Sequence, residues 1–135
     1  MNQTTREQSR KFAIIGAIGF VVDGGILTIL NSVYGFDLLF SRLASYSVAV
    51  TVTWYLNRHQ TFSENKDRRA ALEWGRYAAV NSIGALLNMS VFFSLVHQFQ
   101  RMAEMPLLPL AISASIALIF NFLASKHVVF RGQRQ

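Results

Sequence analysis

The sequence predicts an all-α membrane protein: four transmembrane helices as two parallel-repeat helical hairpins, with N- and C-termini cytoplasmic. Three observations lead there. First, 52% of the 135 residues are hydrophobic and only 15% are charged, whereas a soluble domain is usually about a quarter charged. The charged residues that do occur are gathered between long apolar runs. Second, four of those runs reach the roughly 20 residues needed to cross a hydrocarbon core of about 30 Å. Third, eleven of the thirteen lysines and arginines fall on one side of the four runs, and short basic loops stay in the cytoplasm.

The first span, 12–32, follows a polar stretch. It is too long for a signal-peptide core and has no small-residue cleavage site after it, so it is expected to be retained. The turn Tyr34-Gly35-Phe36-Asp37 ends it, and span two, 38–57, begins at once, making a short hairpin. The polar segment Ser63 to Trp74 leads to span three, 76–96. Pro106 and Pro109 open span four, 107–125, because proline is tolerated in a first helical turn. Arg6, Arg10 and Lys11, the central group Arg58, Lys66, Arg68, Arg69 and Arg76, and Lys126, Arg131 and Arg134 all lie on the cytoplasmic side. Arg42 and Arg101 lie outside. Trp54 and Trp74 flank the central loop at the level of the headgroups.

An internal repeat orders these elements. A shift of 65 residues lays Lys11-Phe12-Ala13 on Arg76-Tyr77-Ala78, Gly19 on Gly84 and Asp23 on Asn88. A shift of 68 lays Ser45, Ala49, Thr53 and Asn57 on Ser113, Ala117, Asn121 and Ser125, then Arg58-His59 on Lys126-His127 and Phe62 on Phe130. The three extra residues belong to the outer loop. Each unit holds two spans, so both copies enter the membrane from the same side. Residues three and four apart share a helix face, which gives one polar stripe per span. The stripes are Gly16, Gly19 and Asp23; Ser45, Ala49, Thr53 and Asn57; Asn81, Gly84 and Asn88; and Ser113, Ala117, Asn121 and Ser125. Small and polar residues at helix crossings allow close packing, a sufficient reason for most of them. Asp23 calls for more, since a carboxylate at the centre of a membrane helix costs about 2.5–3.5 kcal/mol on insertion scales and usually faces a protein interior or a wet cavity.

Several functions are excluded by what the chain lacks. There is no cysteine, and His59, His97 and His127 are far apart, so neither thiolate chemistry nor a metal site is legible. No paired carboxylates, nucleophile with a base or phosphate-binding glycine loop is present, which argues against an enzyme and against a cofactor. Gly16, Gly19, Gly24 and Gly25 lie inside an apolar span and read as packing glycines. The net charge of +6 has no soluble domain to sit on. It therefore points to membrane lipids or lipid-linked phosphate rather than nucleic acid.

Nearly the whole chain resembles the GtrA-like family of small four-span membrane proteins. The residues that carry the resemblance are Lys11-Phe12 through Gly16, the run Asn57-Arg58-His59-Gln60-Thr61-Phe62, Arg76-Tyr77, and Asn121 through Ser125-Lys126-His127-Val128-Val129-Phe130. The second motif departs from the family pattern in having Ser125-Lys126 where an Asn-Arg pair is usual. The resemblance implies translocation of a polyprenyl-phosphate-linked sugar, such as undecaprenyl-phosphate hexose, across the bacterial inner membrane for surface polysaccharide modification, with a glycosyltransferase as partner. On that reading Asp23, Asn88, Asn121, Asn57 and Thr53 would meet the sugar, Arg58 and Lys126 would capture the phosphate on the cytoplasmic side, and Arg42 would receive it outside. The small size of four helices suggests a homodimer. Two alternatives are an accessory subunit that anchors a polyprenyl-phosphate glycosyltransferase and, less readily, a small multidrug exporter, against which the charged central loop and the repeat argue.

Overall fold

The computed structural model describes residues 3–105 and 107–131; Pro106 and Arg134 lie outside that range. Among the described residues the regular structure is all helical. Helices α1 (Gln3–Thr28), α2 (Leu38–Leu56), α3 (Ala70–Gln98), α4 (Gln100–Glu104) and α5 (Leu107–Ala124) follow in order, with a single 3₁₀ turn at Ser63–Asn65. Three helical stretches, Thr4–Val33, Ala70–Gln98 and Leu107–Val129, are long and apolar enough to cross a membrane. The fourth expected span coincides with α2, whose Arg42 and many hydroxyl side chains make it less apolar than the other three.

Local chemistry sets the element ends. Gly35, at φ +71°, takes the left-handed conformation that ends the first hairpin's turn and that glycine adopts without penalty. Asp37 then caps α2, its carboxylate accepting from the amides of Leu39 at 3.1 Å and Phe40 at 3.0 Å. Two boundaries differ from expectation. Helix α1 begins well before residue 12, and α3 begins at Ala70 rather than 76, which draws Glu73 and Trp74 out of the expected loop and into a first helical turn. The short α4 fills the longer loop within the second hairpin, where the repeat requires extra residues.

Helix α1 packs along α2 and α3 along α5, giving the two hairpins. The repeat holds in detail. Both even-numbered copies end in a wide i→i+5 turn, at Asn57–Thr61 and Ser125–Val129, each closed by a 2.9 Å bond from the following phenylalanine amide to the turn's first carbonyl. Ser45 and Ser113 donate to the carbonyls of Arg42 and Leu110, both at 3.1 Å. A Cβ on Gly19 would strike Thr53, and one on Gly84 would strike the repeat-equivalent Asn121. Phe62 and Phe130 stack on each other at 4.7 Å, so the pseudo-twofold axis passes between them, as for parallel repeats. Around them Phe12, Tyr77, Phe122 and Val129 form the core at the end of the bundle that holds both termini. The opposite surface character prevails outside, where large side chains such as Phe20, Val21, Leu86 and Leu107 are exposed. A bilayer would cover such side chains.

Candidate functional site

The four small and polar stripes converge on one space. A cavity of about 440 Å³ lies between the two hairpins, and its lining includes Asp23, Thr53, Asn57, Asn88 and Asn121 together with Gly16, Gly19 and Gly84. Five of the eight residues singled out from the sequence therefore share one cavity. Arg42, Arg58 and Lys126 do not line it.

Within the cavity the five differ in what they offer. Thr53 spends its hydroxyl on the carbonyls of Ala49 and Val50, at 2.9 and 3.1 Å, and turns its methyl toward Gly19. Asn57 is fully engaged as well, donating to the Tyr77 hydroxyl at 2.9 Å and accepting from Thr61 at 2.9 Å. Both are occupied with folding. By contrast, Oδ1 of Asp23 and Oδ1 of Asn121 are buried with no hydrogen-bond partner among the described residues. Buried polar atoms are ordinarily paired; both of these acceptors belong to residues that line the cavity, and that of Asn121 lies against Gly84. Asn88 adds an amide to the same lining, and the Tyr46 hydroxyl, bonded to Ser82 at 3.1 Å, closes one wall.

The basic residues are placed less uniformly than the repeat alone suggests. Arg42 reaches along α2 to Asp23, Nη1 to Oδ2 at 2.6 Å, with half of its own side chain exposed. Its repeat counterpart is Leu110 and that of Asp23 is Asn88, so the acid and the base are present together in one hairpin and absent together from the other. Arg58 is held at the terminus-bearing end by Glu73, at 2.6 Å, and donates a second bond to the Asp67 carbonyl at 3.0 Å. Its guanidinium also lies 5.7 Å from the Trp54 ring. Lys126 occupies the equivalent position and lies 5.9 Å from Phe122, the counterpart of Trp54. It donates to Thr5 at 2.9 Å and has no carboxylate partner among the described residues.

Glu73 is the important residue that sequence reasoning passed over. Fully buried, it accepts from Arg58, from Trp54 Nε1 at 3.0 Å and from the Asp67 amide at 2.7 Å. The indoles of Trp54 and Trp74, expected at the headgroup level, both use their N–H groups within the protein, that of Trp74 reaching Thr51 at 3.1 Å while its ring stays partly exposed. The signal for Glu73 was available, because the 65-residue shift lays it on Gln8, an amide of the same shape.

No curated protein matches the chain. The model of the GtrA/DPMS transmembrane domain matches residues 11–130, a range that contains both hairpins, the cavity and the wide turns that end the second helix of each hairpin. The protein belongs to the GtrA/DPMS transmembrane-domain family.

Proposed function

We propose that the protein carries a polyprenyl-phosphate-linked sugar, such as an undecaprenyl-phosphate hexose, across the bacterial inner membrane for cell-surface polysaccharide modification. The observation that carries this reading is the cavity between the hairpins, whose lining brings together Asp23, Asn88 and Asn121, two of them with a buried acceptor oxygen that has no partner among the described residues. A sugar needs hydrogen-bond partners all the way across hydrocarbon, since each unsatisfied polar group there costs several kcal/mol. Asp23, Asn88 and Asn121 supply such partners.

In this reading α2 is the fourth span, despite its arginine, and both termini and the central segment are cytoplasmic, as the lysine and arginine distribution requires. A glycosyltransferase on the cytoplasmic face supplies the substrate. The protein itself makes and breaks no covalent bond and uses no cofactor. The phosphate is met by a cation at either end, Lys126 on the cytoplasmic side and Arg42 toward the outer side. The cavity volume lies within the usual range for small-molecule sites, about 300–1,000 Å³, so one subunit houses a single hexose; if two copies associate, the pairing serves another purpose.

The test exploits the repeat. Asp23→Asn together with Arg42→Leu rebuilds the first hairpin in the pattern of the second, removing both charges at once and so avoiding an orphaned arginine. The expected outcome is a folded protein, judged by its thermal transition in detergent, that has lost translocation of the sugar lipid in proteoliposomes at least tenfold. Full translocation by this folded double variant would exclude a role for Asp23 in handling the cargo.

A further inference from the structure

The pseudo-twofold axis creates two equivalent seams between hairpins, α2 against α3 and α5 against α1, and they are chemically unlike. The first is cross-linked by polar side chains at four places. Tyr46 meets Ser82, Thr51 accepts from Trp74, Asn57 donates to Tyr77, and Arg58 pairs with Glu73. At the corresponding places the second seam has Ala114 with Ala17, Ile119 with Ser9, Ser125 with Phe12, and Lys126 with Gln8. Three of these pairs cannot form a side-chain hydrogen bond at all. Among the described residues, the polar side-chain link from α1 to the end of α5 is the 2.9 Å contact from Lys126 to Thr5.

The fourth pair differs in a way that matters chemically. In the first seam an anion, the Glu73 carboxylate, sits among the Arg58 guanidinium, the Trp54 indole and the Asp67 amide. The second seam keeps the cation, as Lys126, but replaces the carboxylate by the neutral amide of Gln8, whose NH2 can donate where a carboxylate cannot. The charge around each seam follows suit. Arg58 is paired with Glu73 and Arg76 with Asp67 near the first seam, whereas Lys126 has no carboxylate partner among the described residues; Glu64 shares a pocket with Glu7, Gln8 and Lys11.

We infer that the α5–α1 seam is the lateral portal through which a lipid reaches the cavity, and that its phosphate is bound at the terminus-bearing end of this seam by Lys126, Thr5 and Gln8, in the position the Glu73 carboxylate takes in the other seam. The inference rests on the lipid-phosphate reading above and makes it one-sided. Ala17 and Ala114 both border the cavity, so the seam is lined there by two methyl groups where the other seam has a bonded tyrosine and serine. The lipid chain stays in hydrocarbon outside the seam while the sugar passes between the alanines. The Thr5 hydroxyl and the Gln8 amide each donate to a phosphate oxygen, and Lys126 supplies the charge.

Two substitutions test this on the full chain in lipid nanodiscs. Gln8→Glu copies the Glu73 arrangement into the second seam, so it should pair with Lys126 and leave the fold intact. The expected result is an affinity for undecaprenyl phosphate about tenfold lower or more, matching that of Lys126→Gln, as loss of a charge-assisted contact predicts. Unchanged affinity in a folded Gln8→Glu protein would overturn the phosphate site. Inorganic phosphate that competes at equal concentration would show a free-anion site and would overturn lipid recognition; competition by undecaprenyl phosphate alone supports it. For the portal, the chain's lack of cysteine allows Ser9→Cys with Ile119→Cys to be bridged across the second seam by a short bifunctional maleimide, and Thr51→Cys with Trp74→Cys across the first. Translocation should stop on bridging the second seam, persist with a monofunctional maleimide there, and persist on bridging the first. Equal sensitivity of both seams would overturn the portal. A protein that binds undecaprenyl phosphate through Lys126 yet translocates nothing would refute the transport reading and leave the binding site standing.

Discussion

At the scale of single residues, the fold depends most on Glu73. It is the one carboxylate among the described residues with no exposed surface, and three donors from three different segments meet on it. Removing it would leave Arg58, itself largely buried, with a charge and no counterion. Replacing both partners of a buried ion pair can be nearly neutral, but removing one typically costs about 3–5 kcal/mol. Glu73→Ala is therefore expected to lower stability by that order, read from chemical or thermal unfolding in detergent. A double-mutant cycle with Arg58→Ala should show strong coupling between the two positions. Gln8→Ala at the equivalent position should cost far less, because no charge is orphaned there. Asp23 is a different case. Its partner Arg42 is half exposed, so the pair contributes less to folding than the Glu73 pair, and its second carboxylate oxygen is buried without a partner among the described residues.

At the scale of the helix and the hairpin, two glycines decide how closely the partners approach. A methyl at Gly19 would collide with the branched side chain of Thr53, whose χ1 has little freedom to yield, and one at Gly84 would collide with Asn121. Nothing lies within 4 Å of the Cβ position at Gly24 or Gly25. Gly19→Ala is expected to cost about 1–3 kcal/mol through overpacking, while Gly24→Ala should leave the unfolding transition where it is. The polar stripe separated Gly16 and Gly19 from Gly24 and Gly25, but it could not tell Gly19, which meets Thr53, from Gly16, which has nothing within 4 Å, since spacing carries no information about where the helices cross most closely. The helices and the two hairpins were legible from run length and from the repeat. The helix starts were not, because the short run Ala70 to Trp74, which follows the charged Lys66 to Arg69 and carries Glu73, reads as part of the loop until its partners are known.

At the scale of the whole molecule, the repeat was the most informative feature of the sequence, and its exceptions locate the chemistry. The shared cavity could be anticipated from four stripes of small and polar residues, since each had to face something other than lipid. What could not be read was how the cations were spent, because a position on a helix end does not say whether a carboxylate waits across the seam. Arg58 and Lys126 are identical by register and opposite in circumstance. The proposed topology has its own test. Single cysteines at Lys66 and at Arg101, introduced into a chain that contains none, should react with an impermeant maleimide from opposite sides: Lys66→Cys only after the membrane is opened, Arg101→Cys in intact cells. Labelling of both from the same side would refute the four-span arrangement.

The Asp23–Arg42 pair has an electrical consequence. A charge moved across a membrane gains or loses about 2.3 kcal/mol per 100 mV, yet an ion pair that moves as a unit transfers no net charge. The voltage across a bacterial membrane, negative inside, therefore has little hold on the first hairpin itself. A phosphodiester anion carried outward would feel that voltage in full and would be driven by it, so the cargo would supply the electrical work and the protein the path.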